Sequence, residues 1–187
     1  MGITNWIWQT CTYCDALITR EIHRLWRRLP WLNAAMVVVA KYTPVFMLAV
    51  LVVAATGILQ TTQHYVVTFA SVSSSIVAAV AIRLIHEPIS RMTARPRPFD
   101  TEPFEPLLAH EQGESFPSNH AGGALALACG AIHLPFFREI LLVMALCLCF
   151  SRIYCGLHHF SDVVVGAIGG TTVGLLCAGI QAGIHLS

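Results

Sequence analysis

Apolar residues fall in five long runs along the chain, over residues 33–59, 64–86, 120–134, 140–154 and 163–184. Crossing a hydrocarbon core of about 30 Å takes roughly 20 helical residues. The first, second and fifth runs supply that length, while the third and fourth are shorter and must draw on their flanks. The pattern predicts an all-α integral membrane protein, a bundle of five transmembrane helices. Ahead of the bundle, residues 5–29 mix apolar positions (Trp6, Ile7, Leu17, Ile18, Ile22, Leu25, Trp26) with polar ones (Asp15, Arg20, Glu21, Arg24, Arg27, Arg28). With Asp15 at its centre this segment is too polar to span, so it is expected as an amphipathic helix in the interface, its aromatics dipping into lipid. It does not read as a cleavable signal, because the long apolar run begins too late and no small-residue cleavage site precedes it. Two parts result: an interfacial segment over 1–33 and a membrane-embedded domain over 34–187.

Composition sharpens this. Hydrophobic residues make up 56% of the 187 and charged ones only 11%, which excludes a soluble domain with a solvated surface. A net charge of +1 gives no footing for nucleic acid, and membrane lipid is the partner expected. Five of the ten acidic residues (Asp100, Glu102, Glu105, Glu111, Glu114) share one loop, and Arg20, Arg24, Arg27 and Arg28 cluster before the first long run. The plain reading of both is a solvated loop and a basic interfacial segment. Seven cysteines, five of them in apolar segments, imply no disulfide framework. Cys11 and Cys14 form a C-x-x-C, but zinc needs a second ligand pair and a redox site wants a βαβ setting, and neither is visible.

The one long irregular region, 87–119, carries six prolines and leads into "SFPSNHAGGALALA", residues 115–128. Polar atoms at the mouth of an apolar helix cost desolvation energy unless something satisfies them, so the stretch asks for a ligand. Two helices separate this loop from the turn around 155–162, which puts both on one membrane face. There meet Arg95 and Arg97 of "ARPRPF", Ser118 and His120 of "PSNH", and Ser151, Arg152, His158, His159 and Asp162 of "SRIYCGLHHFSD". Arginines from separate segments are forked, permanent cations suited to phosphate oxygens. Ser118 falls at the cap of the third long helix, where unpaired N–H groups favour an anion. His158 and Asp162 stand four apart on one helical face, where a carboxylate can fix an imidazole tautomer and stabilise its cation. With His120 added, the set is a nucleophile and a general acid awaiting a phosphoryl group. A zinc site on His120, His158 and Asp162 is the alternative, and the arginines, which would repel a cation, argue against it.

The ordered signature Arg97-Pro98, Pro117-Ser118-Asn119-His120 and Ser151-Arg152 with His158 and Asp162 resembles the type 2 phosphatidic acid phosphatase family, at nine fixed positions. The resemblance implies a metal-independent, cofactor-free hydrolase: His158 attacks phosphorus to form a phosphohistidine, Asp162 orients it, and His120 protonates the leaving oxygen. Arg97, Arg152 and Ser118 would hold the equatorial oxygens, with Asn119 and Arg95 completing the phosphate-binding set. Only His158, not His159, stands six after Arg152 and four before Asp162. One position departs from the family, whose first motif opens with Lys seven before its Arg; here Ser90 stands there, and Arg91 or Arg95 is the candidate to replace it.

The longer run "LLAHEQGESFPSNH" with "RPRPF" most resembles the bacterial undecaprenyl pyrophosphate phosphatases. This implies hydrolysis of undecaprenyl diphosphate for cell-wall synthesis in the bacterial inner membrane. A phosphatidate or phosphatidylglycerophosphate phosphatase of the same fold is the alternative, and a homodimer stays open. A non-catalytic membrane protein or transporter would have lost His120, His158 or Asp162, and a vanadate-dependent oxidase would not need the apolar runs. The arginine distribution puts the polar face in the cytoplasm by the positive-inside rule, whereas the resemblance puts it on the periplasmic side.

Overall fold

Long apolar runs that must satisfy their own backbone groups in lipid can only coil. The computed structural model describes residues 3–56, 65–109 and 113–186. Among the described residues there are helices and loops and no strand. They are α1 (Ile3–Trp26), α2 (Pro30–Ala55), α3 (Tyr65–Thr93), the single turn α4 (Pro98–Thr101), α5 (Asn119–Gly130), α6 (Pro135–Tyr154) and α7 (Phe160–Leu186). Proline opens α2 and α6, where its missing N–H costs nothing. The ends of the first and second apolar runs, Leu59 and His64, lie outside the described residues, as do Glu111 of the acidic loop and the side chains of Trp6 and Ile7.

Among the described residues, three stretches are long and apolar enough to cross a membrane: Pro30–Ala55, Val66–Thr101 and Phe160–Gly183. Large apolar side chains point outward all round the bundle, among them Phe46 on α2, Leu84 on α3, Leu146 on α6 and Ile180 on α7. An apolar coat of this extent belongs against lipid. Inside, Met47 and Leu51 of α2 pack with Leu141, Ala145 and Leu148 of α6 and with Ala124 and Ala128 of α5.

The third element differs from its sequence reading. The run over 120–134 suggested a helix that long, but α5 stops at Gly130 and is about 18 Å in length. Eight of its twelve residues are buried, because α5 is the central post of the bundle. Its contact with α7 is backbone on backbone. A Cβ at Gly166 would stand 2.5 Å from the Ser118 carbonyl oxygen, one at Gly170 2.0 Å from that of Gly122, and one at Gly174 2.9 Å from that of Ala126. Small residues four apart on both helices thus let the main chains touch. The N-terminus of α5 is thereby drawn against that of α7, and the Ser118 N–H donates to the Asp162 carbonyl at 3.0 Å. Gly170→Ala is expected to destabilise the fold by about 1–3 kcal/mol through overpacking, read as a lower melting midpoint in detergent. Gly179→Ala, with open space around the new Cβ, should leave the midpoint unchanged or slightly raised.

The N-terminal segment is helical, as expected, but its key residues do not sit as the alternating pattern suggested. Trp26 packs edge-on against Phe104, with ring centroids 5.4 Å apart, and its Nε1 donates to the Tyr154 carbonyl at 2.9 Å. Tyr154 in turn donates from its hydroxyl to Asn33 at 2.8 Å. Asp15, which makes the segment too polar to span, is only 2% exposed and is paired with Arg95 and Ser161.

Candidate active site

The long loop is stitched down by its own backbone. The Ser115 N–H donates to the Arg95 carbonyl at 2.8 Å, and the Leu107 N–H to the Cys155 carbonyl at 3.2 Å. On the opposite side the chain leaves α6 and turns at Gly156, whose φ of +74° an L side chain rarely adopts and whose Cβ would strike Phe104 at 2.7 Å. That turn swings His158 back over the end of α6, where its N–H reaches the Arg152 carbonyl at 3.3 Å. Loop and turn therefore close on one another at a single end of the bundle, as the count of helices between them predicted.

At the centre is the His158 ring, 4% exposed. Its Nδ1 lies 2.8 Å from the carbonyl oxygen of Ser115. A carbonyl only accepts, so Nδ1 carries the proton and the lone pair is on Nε2. Arg97 Nη1 stands 3.3 Å from that Nε2 and also donates to the Leu157 carbonyl at 2.8 Å, while its Nε donates to the Gly113 carbonyl at 3.1 Å. Arg152, within electrostatic reach of His158, is 2% exposed, and its Nε and Nη2 have no protein partner. Buried guanidinium donors left open beside a second arginine and a bare imidazole nitrogen form a pocket that an oxyanion would complete.

Asp162 is fully buried and saturated. Its Oδ1 accepts from Arg95 Nη1 at 2.5 Å, and its Oδ2 accepts from the Ser115 hydroxyl and, at 2.9 Å, from the His159 N–H. The His158 Nδ1 is 4.0 Å from this carboxylate. The four-residue spacing predicts His158 and Asp162 on one helical face; instead His158 lies in the turn ahead of α7, which begins at Phe160, and Ser115 stands between the two, offering its hydroxyl to Asp162 and its carbonyl to His158. Ser115 was missed because that carbonyl has no signature in sequence.

Other expected residues are placed as follows. Ser118 caps α5, its hydroxyl accepting from the Ala121 N–H at 3.4 Å. His120, in the first turn of α5, is within electrostatic range of His158. Asn119 lies within hydrogen-bonding reach of the buried His86 of α3. Arg91 is exposed and paired with Glu87 at 2.8 Å, so of the two stand-ins for the missing lysine only Arg95 reaches the site. Arg95 is engaged by carboxylates there: Asp162, and Asp15 at 2.7 Å.

Burial first, then the charges of Arg152 and Arg97, push His158 well below the ordinary imidazole range, with His120 adding to the effect and the Ser115 carbonyl opposing it. At neutral pH the ring is uncharged, with its lone pair on Nε2. The acid limb of kcat/KM on a diphosphate is accordingly expected below the ordinary histidine value of about 6.5, measurable from a pH–rate profile. Stability follows the same sign. The unfolded chain takes up this proton first, so the contribution is complete above about pH 6.5 and falls as pH drops toward the folded value.

Residues 68–184 match the PAP2 superfamily. The undecaprenyl-diphosphatase BcrC of Bacillus subtilis (strain 168) is 29% identical over 163 residues, spanning 85% of this chain and 80% of that protein. In three dimensions the chain is similar to a transmembrane PAP2 type phosphatidylglycerolphosphate phosphatase from Bacillus subtilis, with a TM-score of 0.66 and 26% identity over 94% of this chain and 86% of that one. Aquifex aeolicus LpxE shares the fold, with a TM-score of 0.67 and 23% identity over 89% of this chain and 93% of the other.

Proposed function

The chain belongs to the PAP2 superfamily and is a membrane lipid phosphatase, and from that premise we propose that it hydrolyses undecaprenyl diphosphate to undecaprenyl phosphate and phosphate. The observation that carries the phosphate chemistry is Arg152, whose buried Nε and Nη2 lack any protein partner, close to Arg97 and His158. The substrate rests on the likeness to BcrC over most of both chains.

His158 Nε2 attacks the terminal phosphorus, and the bond from phosphorus to the bridging oxygen breaks, releasing undecaprenyl phosphate. Arg97 and Arg152 take the equatorial oxygens, with Ser118 and the first turn of α5 completing the cradle. The phosphohistidine ring is a cation with its proton on Nδ1, facing the Ser115 carbonyl and, at 4.0 Å, the Asp162 carboxylate. His120 supplies a proton to the leaving oxygen where one is needed. It then takes one from the water that cleaves the P–N bond, freeing phosphate and restoring His158. No metal or cofactor enters these steps.

In this reading α2, α3, α5, α6 and α7 are the five membrane-traversing elements, α5 with its flanks, and α1 lies in the interface ahead of them. The active site faces the periplasm of the inner membrane. A phosphatidylglycerophosphate phosphatase is the second reading, favoured by the similarity to the Bacillus subtilis phosphatidylglycerolphosphate phosphatase. Hydrolysis rates of the purified protein on undecaprenyl diphosphate, phosphatidylglycerophosphate and phosphatidate decide between them; a preference for either phospholipid removes the first. Labelling of a cysteine placed at the exposed Glu105 by an impermeant reagent in whole cells tests the orientation.

A further inference from the structure

Asp15 lies outside the residues that match the family, on a helix that carries none of the nine signature positions. Its carboxylate is nonetheless among the best connected in the protein. Oδ1 accepts from the Ser161 N–H at 2.9 Å, and Oδ2 accepts from the Ser161 hydroxyl at 2.6 Å and from Arg95 Nη2 at 2.7 Å. The other arm of the same guanidinium, Nη1, donates to Ser161 Oγ at 2.7 Å and to Asp162 Oδ1 at 2.5 Å. Asp15 and Asp162 are 2% and 0% exposed at their side chains and Arg95 10%, so water does little to screen the three charges.

One arginine thus bridges two carboxylates. An Arg95–Asp162 pair alone would be neutral, and Asp162 would present little field to a ring 4.0 Å away. With Asp15 on the far side of Arg95 the triad carries one net negative charge, and Asp162 keeps its field toward His158. That field matters most when the ring becomes a cation as the Nε2–P bond forms. The remaining charged or titratable groups around His158 are Arg97 from the loop before α4, His120 from α5, Arg152 from α6 and His159 beside it. The two arginines are positive; Asp100 and Glu114 offset Arg97 together with Asp162, and of these carboxylates Asp162 is the one 4.0 Å from the His158 ring.

We infer that Asp15 is a positioning residue for phosphoryl transfer: it holds Arg95 so that this cation orients Asp162 without cancelling its charge, making α1 a working part of the active site. The inference rests on His158 as the nucleophile of the proposed function. The docking of Trp26 on Phe104 and Tyr154 fixes the other end of α1 against the same turn, which keeps Asp15 in register.

The test compares full-length wild type, Asp15→Asn, Asp15→Glu and His158→Ala in nanodiscs, with undecaprenyl diphosphate as substrate. Asp15→Asn keeps the shape and one acceptor oxygen but removes the charge, and its amide NH2 cannot accept from Ser161 or Arg95. It is expected to lower kcat about 10- to 100-fold, the effect of one unit charge across a few ångström of weakly screening protein, while KM changes less than about two-fold. The acid limb of kcat/KM should move to lower pH, because losing a nearby anion disfavours protonated His158. Asp15→Glu should restore the limb and most of kcat. Wild-type kcat in Asp15→Asn overturns the proposal, and so does a loss with an unmoved limb that Asp15→Glu does not relieve, since that marks a merely structural role. Should Asp15→Asn not fold, Asp15→Glu carries the test alone, and a shifted limb in it overturns the proposal. Turnover by His158→Ala would overturn the underlying nucleophile assignment and the proposal with it; an inactive His158→Ala beside a wild-type Asp15→Asn removes only the proposal.

Discussion

His158→Ala is expected to abolish turnover, with a fall in kcat on the order of 10⁶, the scale on which enzymes lose rate when a covalent nucleophile is removed. The reason is geometric. The Ser115 carbonyl holds the proton on Nδ1 and leaves the Nε2 lone pair beside the Arg97 guanidinium, where the phosphoryl group is held. Loss of the ring leaves Arg97 and Arg152 able to bind phosphate, so KM or phosphate affinity should survive better than kcat. His159→Ala is expected to cost less than about ten-fold. The His159 ring faces a cavity of about 330 Å³ beneath α1, and its one bond to Asp162 comes from the backbone N–H, which the substitution keeps. Steady-state assays of both variants, with melting curves to confirm that each is folded, provide the check. A mild His158→Ala with a dead His159→Ala would reverse the assignment.

The second large effect is expected at His120 and depends on the substrate. A general acid contributes most when the leaving group is strongly basic. A lipid alkoxide is such a group; a lipid phosphate, whose second pKa is about 6, is not. His120→Ala should therefore reduce hydrolysis of phosphatidate by about 10²- to 10⁴-fold and that of undecaprenyl diphosphate by much less, while His158→Ala should be equally severe on both. Rates of the two variants on the two lipids form a square in which each histidine has its own pattern. Equal losses on both lipids from His120→Ala would mean that this residue mainly binds phosphate.

These two histidines mark how far the sequence reaches. The six-residue step from Arg152 to His158 and the four-residue step on to Asp162 are local spacings, and the short turn between α6 and α7 brings the three residues to one place, though not onto the single helical face that the spacing predicts. The apolar runs fixed the all-helical class and the lipid-facing coat for the same reason, since each run must coil wherever it packs. Ser118 at the cap of α5 was legible too, because capping is decided within one turn of chain.

Tertiary structure decided what depends on partners far apart in sequence. Asp15 reaches Ser161 across 146 residues and Arg95 across 80, and no local pattern distinguishes a carboxylate so paired from one turned toward water. Asn119 sits in the signature yet lies within hydrogen-bonding reach of His86, because α3 packs against α5. Gly122 and Gly170 look like any small residues in an apolar run until two backbones are seen to touch there. The partner of His158 Nδ1 is a main-chain oxygen of Ser115, 43 residues away. Every residue carries such an oxygen, so only the folded path of the loop could select that one.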